Sequence, residues 1–282
     1  MSARVEIASP WRERLQALRI ADLEQLLDGS PAEGWPGHWE GLEKPGLGGR
    51  ARWRWTPDGA AAPIYVKCYR STGLRMQFDR IRRQTFGHSR AWWEYHLSER
   101  LARAHVHAPR VVACVERMAG PFERRSAVLF EQAPGAAFDR YWRAALADGA
   151  PITRGAGRRD MVRRLARFVA AFHDTGLCHR DLYLCHVFVD APADGSHPPQ
   201  FTLIDLARVH RPTLRRMRWL LKDLAQLDTS ARQIGATRAD RWRFLLFYLG
   251  LQNGAPRARW YARRVVWRSD RILARERRKG RA

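Results

Sequence analysis

Hydrophobic periodicity passes from mostly strand-like to mostly helical near residue 134, and that order constrains the fold most. Before residue 133 the apolar runs are short and β-branched. Within 42–69 two strands are predicted around a turn at Pro57-Asp58-Gly59. Two more, in RVVACVERM and SAVLFEQ, are split by Ala119-Gly120-Pro121. A helix over 91–104 and an opening helix over 11–28 are the exceptions, and the basic stretch 70–90 reads as loop to helix. From about 134 the period is helical: AFDRYWRAAL, then DMVRRLARFVAAFHDTG with Gly176 as its C-cap, then LRRMRWLLKDLAQLDTSA and ADRWRFLLFYLGL. Between them lie short apolar runs in 177–190 and 200–209, separated by a hairpin-like loop. Strands first and helices later predict an α+β chain, with a small antiparallel sheet lobe and a larger helical lobe. The expected divisions are a helix and loop extension over 1–40, lobes over 41–132 and 133–255, and a basic tail over 256–282.

The 282 residues are 45% hydrophobic, enough for two such cores and unlike a disordered chain. Basic residues outnumber acidic ones 51 to 28, a formal net charge of +23. A field of that sign attracts polyanions such as nucleic acid, anionic lipid or phosphorylated glycan, and does not choose among them. The four cysteines fit no disulfide framework for this length, so reduced thiols are expected. Met1 to Pro10 lacks a signal-peptide run, and no stretch of ~18 apolar residues occurs. A cytosolic protein is the expectation.

Four elements then fall in a chemically meaningful order. Lys67 sits in a β-branched apolar strand, where an ammonium needs a partner, and Glu94 on the following helix is the natural one. His179-Arg180-Asp181 follows an amphipathic helix, with a polar residue, His186, five positions after the Asp. The catalytic loop of protein kinases has this layout, with Asn in place of His186. Asp205 in LIDLA closes an apolar strand, where kinases place the Asp-Phe-Gly aspartate that holds Mg²⁺, although Phe and Gly are missing. Gly46, Gly48 and Gly49 precede a strand and are candidates for a turn whose N–H groups cover phosphates.

Each element alone has an ordinary explanation. A Gly-rich turn is common in hairpins, a strand-end Asp is commonly a cap, and Lys67 can snorkel to the surface. Cys178-His179 and Cys185-His186 supply Zn²⁺-type ligands, but their spacing fits no common zinc pattern, and buried structural thiols are the better account. The order of all four elements, each on suitable local structure, favours an ATP-dependent phosphotransferase.

The segment HRDLYLCHVFV, with LIDLARV and RWLLKDLAQLDTSA downstream, resembles the lipopolysaccharide core kinases of Gram-negative bacteria, a family of heptose(I) and Kdo kinases with a protein-kinase-like fold. The resemblance covers roughly 65–235. It implies an enzyme at the cytoplasmic face of the inner membrane that phosphorylates a heptose or Kdo hydroxyl of the lipopolysaccharide core. It implies ATP with Mg²⁺ or Mn²⁺. Asp181 would orient and deprotonate the hydroxyl, Lys67 with Glu94 would bind phosphates, Asp205 and His186 would face the metal, and Asp223 would brace the catalytic loop. Imidazole is a poor Mg²⁺ ligand, so His186 is equally suited to a phosphate. The implied acceptor would be an anionic glycolipid, and two basic segments suit it or an anionic membrane. One is 70–90. The other is 257–281, with eleven basic and two acidic residues and an apolar side through Tyr261, Val265 and Ile272.

The main alternative is a small-molecule kinase resembling the aminoglycoside and choline phosphotransferases, which keep Asn or Asp where His186 stands. A protein kinase is disfavoured by the short Asp205–Lys222 interval and the lack of Ala-Pro-Glu. Specific nucleic-acid binding is not expected, because no recognised motif accompanies the charge.

Overall fold

The computed structural model describes residues 2–42, 50–70, 73–192 and 197–280. The chain divides into two compact units, Met1–Ala133 and Pro134–Ala282.

The first unit is built on a six-stranded sheet. The strands are β1 (Arg4–Ile7), β2 (His38–Gly41), β3 (Arg50–Thr56), β4 (Ile64–Arg70), β5 (Val111–Ala119) and β6 (Phe122–Glu131). Their order is β1-β5-β6-β4-β3-β2, with every pairing antiparallel. Gly59 and Gly120, both at positive φ, make the two turns expected from sequence. The sheet buries Trp55, Ile64, Val66, Val128 and Leu129. Helices α1 (Ser9–Ala17), α2 (Leu74–Arg83) and α3 (Arg90–Arg103) belong to this unit, and α3 lies on β4, β5 and β6.

Two sequence readings change here. The opening helix stops at Ala17 rather than running to 28: Arg19 turns left-handed at φ +56, and Ile20 N–H donates to Leu15 O in a Schellman-type end. Buried Ile20, Leu23, Leu26 and Leu27 then tether an irregular segment and one 3₁₀ turn, Glu24–Asp28. Residues 1–40 therefore do more than extend the unit, because β1 pairs with β5 from Arg4↔Glu116 to Ile7↔Ala113.

The second unit holds α4 (Phe138–Ala147), α5 (Gly155–Asp174), α6 (Arg216–Gln233), α7 (Arg238–Leu249) and α8 (Pro256–Arg278). It also holds a small antiparallel sheet of β7 (Ala136–Ala137), β8 (Val187–Asp190) and β9 (Gln200–Leu203). Helix α5 ends as expected, with Gly176 at φ +85. The segment read as a basic tail is α8. Its Ala258, Tyr261, Val265 and Ser269 recur at helical spacing, are buried, and pack on α6, with Tyr261 and Val265 beside Leu221, Leu224 and Leu245. That apolar side is thus consumed by the unit's own core.

Candidate active site

Alternation along β4 puts Lys67 and Tyr69 on one face of the sheet and Ile64, Val66 and Cys68 on the other. Helix α3 brings Glu94 to that face. Its start is fixed by Ser89, whose hydroxyl accepts from Trp92 N–H at 3.1 Å and whose own N–H donates to buried Glu116 at 2.7 Å. Lys67 Nζ donates to Glu94 Oε2 at 2.7 Å, and the Tyr69 hydroxyl donates to Oε1. Glu94 is wholly buried while the Lys67 side chain keeps 17% exposure. Gly46, Gly48 and Gly49 lie outside the described residues.

In the second unit, residues 179–184 are held by one face of α6. Asp223, Gln226 and Ser230 recur at i, i+3 and i+7 and point the same way. Asp223, fully buried, accepts from His179 N–H at 2.6 Å and Arg180 N–H at 2.8 Å, with His173 Nε2 at 3.3 Å. Gln226 accepts from Leu182 N–H at 3.2 Å, and Ser230 Oγ from Leu184 N–H at 3.1 Å. The braced backbone includes Arg180 at φ +69, a conformation that costs a non-glycine residue roughly 1 kcal/mol and persists only where its surroundings enforce it.

Asp181 follows that residue and stays accessible. Gln226 Nε2 lies 3.4 Å from its Oδ1, and Arg208 3.8 Å from its Oδ2. Lys222 donates to Arg180 O, and its ammonium is pushed down to about 8, first by burial and then by the Arg208 charge. His179 is fully buried. Its Nε2 lies 3.0 Å from Ile204 O, which assigns the ring proton there, and burial lowers its pKa, keeping it neutral.

Asp205 sits at φ +58, closing β9, with its carboxylate 3.8 Å from His186 Nε2. His186 Nδ1 lies 2.7 Å from Asp181 O, so that nitrogen carries a proton. Burial opposes a second proton on His186, but a hydrogen bond to the Cys185 side chain and the Asp205 carboxylate outweigh it and push the pKa up to about 9. The Asp205 carboxylate is a hard oxygen donor and fits Mg²⁺, which takes one or two carboxylates beside phosphates and water. Imidazole is a poor ligand for Mg²⁺, and a ring that also carries a proton on Nε2 would donate to a phosphate oxygen instead. Among the described residues no group of three or more His, Cys, Asp or Glu could hold a metal by itself. Cys178 is buried as expected for a structural thiol, whereas Cys185 is exposed.

The structure therefore brings Asp181, His186, Asp205 and Asp223 together within the second unit and Lys67 with Glu94 within the first. It adds Tyr69, Lys222, Gln226, Ser230 and Arg208, which sequence reading had not singled out. One signal was available: the chain has only four lysines, and two of them are Lys67 and Lys222.

Comparison with known proteins gives a family for the chain. Residues 55–248 match the model of the Lipopolysaccharide kinase (Kdo/WaaP) family. The lipopolysaccharide core heptose(I) kinase WaaP of Escherichia coli is 31% identical over 194 residues, 67% of this chain and 71% of the relative. A 3-deoxy-D-manno-octulosonic acid kinase of Xanthomonas campestris pv. campestris is 27% identical over 239 residues, 83% of this chain and 88% of the relative. A solved structure of WaaP in complex with acyl carrier protein superposes with a TM-score of 0.66 at 25% identity, covering 93% of this chain and 98% of that one.

Proposed function

Because the chain belongs to the lipopolysaccharide kinase (Kdo/WaaP) family, we propose that it transfers the γ-phosphate of ATP to a heptose or Kdo hydroxyl of the lipopolysaccharide inner core. The observation that carries this reading is the bracing of residues 179 and 180 by buried Asp223, which fixes the backbone next to Asp181. Phosphoryl transfer depends on alignment and charge neutralisation more than on covalent chemistry. Asp181 hydrogen-bonds the acceptor hydroxyl and aims it. As the sugar oxygen bonds to the γ-phosphorus and the bond to the β-phosphate oxygen breaks, Asp181 takes the proton and ADP leaves. Lys67, held by Glu94, neutralises phosphate charge on the nucleotide. Arg208 and Lys222, beside Asp181, add positive charge where the transferred group is approached.

Asp205 holds the divalent metal, Mg²⁺ or Mn²⁺, in this reading, and His186 hydrogen-bonds a phosphate oxygen. The metal supplies charge neutralisation across the phosphates when bound.

The enzyme acts, we propose, at the cytoplasmic face of the inner membrane. No helix among the described residues is long and apolar enough to cross a membrane. The outer side of α8 exposes Trp260 and Trp267 with arginines stacked on both, a pairing suited to anionic head groups. Assembly with an acyl carrier protein, as in the solved WaaP complex, is supported by a cavity of about 1060 Å³ within the second unit. Trp142, Leu165 and Leu245 line it and Arg238, Arg259 and Arg263 stand at it, a combination suited to an acyl chain on an anionic carrier.

The test is transfer of ³²P from ATP to purified deep-rough lipopolysaccharides, some ending at Kdo and some carrying heptose. Labelled glycolipid is expected, and the acceptor identifies the sugar. Tight ATP binding without transfer to any of them would move the acceptor to another class of molecule.

A further inference from the structure

Helix α2 is amphipathic in the inverted sense. Its two buried residues are polar, Gln77 and Arg80, whereas Leu74 is 70% exposed and Phe78 61% exposed. Phe86, just past its end, is 67% exposed. Spacing explains the arrangement: Gln77 and Arg80 share one side, and Leu74, Phe78 and Arg82 recur at i, i+4 and i+8 on the other.

The inward side is secured by directional bonds rather than by apolar burial. Gln77 Nε2 donates to Glu123 O at 2.6 Å, and Glu123 N–H donates back to Gln77 Oε1 at 3.1 Å. The Arg80 guanidinium donates to Thr85 O at 2.9 Å and to the carbonyls of His88 and Pro121, with the Glu123 carboxylate 3.8 Å away. Those bonds fix how the helix is rolled. A buried charge and a buried amide thus hold large apolar side chains in solvent, and clustered apolar exposure of this kind marks a contact surface.

The charges choose the occupant. Arg75 and Arg82 are exposed on the outward side, and Arg83 is paired with Asp79 at 2.9 Å. A second copy would set these cations, and a chain of net charge +23, against themselves. A surface that is apolar inside and anionic at its rim fits, as in a bilayer of acidic phospholipid. We propose that α2 is a membrane-docking helix: Leu74, Phe78 and Phe86 enter the head-group region, and Arg75 and Arg82 pair with lipid phosphates. Its purpose, bringing the enzyme to a lipid-embedded acceptor, rests on the function proposed above, but its geometry does not.

The test is co-sedimentation of the full chain with vesicles of phosphatidylglycerol and phosphatidylcholine in equal parts, and with phosphatidylcholine alone. Wild type is expected to sediment with the anionic vesicles, less so as salt rises. Leu74→Ser/Phe78→Ser should bind on the order of tenfold more weakly, and Arg75→Glu/Arg82→Glu should bind the anionic vesicles severalfold more weakly than wild type. The serine variant should melt like wild type and phosphorylate a deacylated, water-soluble core oligosaccharide at an unchanged rate, while transfer to vesicle-embedded acceptor falls with binding. Vesicle binding that depends on α2 without transfer to any acceptor would sustain this inference and sink the proposed activity. Failure of wild type to bind vesicles, variants that bind as well as wild type, or a serine variant that loses the transfer to soluble oligosaccharide which wild type performs, would each overturn it.

Discussion

Replacing Asp223 with Asn removes one hydrogen-bond acceptor and changes nothing in side-chain volume. The carboxylate serves three donors, with Oδ2 facing His179 N–H at 2.6 Å and His173 Nε2 at 3.3 Å, and Oδ1 facing Arg180 N–H at 2.8 Å. An amide keeps its oxygen where two donors converge, which sets its NH₂ against the Arg180 N–H. One buried backbone donor then loses its partner and meets another donor, at a cost of about 2–4 kcal/mol. The Arg180 peptide, at φ +69, is the one released, and Asp181 is its neighbour. Displacing a catalytic group by about 1 Å costs on the order of 100-fold in rate. Asp223→Asn is therefore expected to lower Tm by about 6–12 °C and kcat by about 100-fold, with ATP affinity nearly unchanged. Calorimetry, steady-state kinetics and nucleotide titration read the three quantities. Wild-type kcat and Tm in this variant would refute the bracing argument.

Lys67→Met strands a wholly buried Glu94, leaving it the Tyr69 hydroxyl among the described residues, a loss of about 3–5 kcal/mol. Adding Glu94→Gln should restore much of the denaturant midpoint and none of the transfer activity, which separates the two roles of the pair. Lys222 gives a pH signature. Its folded pKa, about 8, lies below the ordinary lysine value of 10.5, so the folded state is penalised wherever Lys222 is charged. Relative to Lys222→Met, wild type should be less stable at pH 7, and the gap should close as pH rises from about 8 to 10.5. A constant gap across that window in denaturant titrations would show that burial does not shift this ammonium.

Much of this architecture is legible because local pattern and tertiary role coincide. The strands at β4, β5 and β6 carry β-branched runs bounded by turn residues, and α5 and α6 carry clear 3.6-residue stripes. Lys67 and the His179-Arg180-Asp181 segment stand out because charged groups interrupt apolar runs. What the pattern hides is partnership at long range. Residues 4–7 are too short and too polar to announce an edge strand, and only pairing with β5 defines them. Gln226 and Ser230 read as ordinary residues of a polar helix face until their backbone partners 44 and 46 positions away are known. The hydrophobic rule also misleads at α2, where polar residues are inside, and at α8, whose apolar side meets α6 rather than lipid.

In the proposed mechanism Asp181 aims and deprotonates the acceptor while Lys67 and Glu94 serve the nucleotide. Its side chain is accessible and its contacts among the described residues are long, to Gln226 at 3.4 Å and Arg208 at 3.8 Å, so Asp181→Asn should fold as wild type does. The most direct measurement is single-turnover transfer of ³²P from ATP to core lipopolysaccharide, with ATP affinity measured alongside. Asp181→Asn is expected to keep wild-type ATP affinity and thermal stability, with transfer reduced at least ~1,000-fold, on the order expected for loss of a general base together with its positioning. Transfer within tenfold of wild type would contradict it and place the acceptor-activating group on another residue.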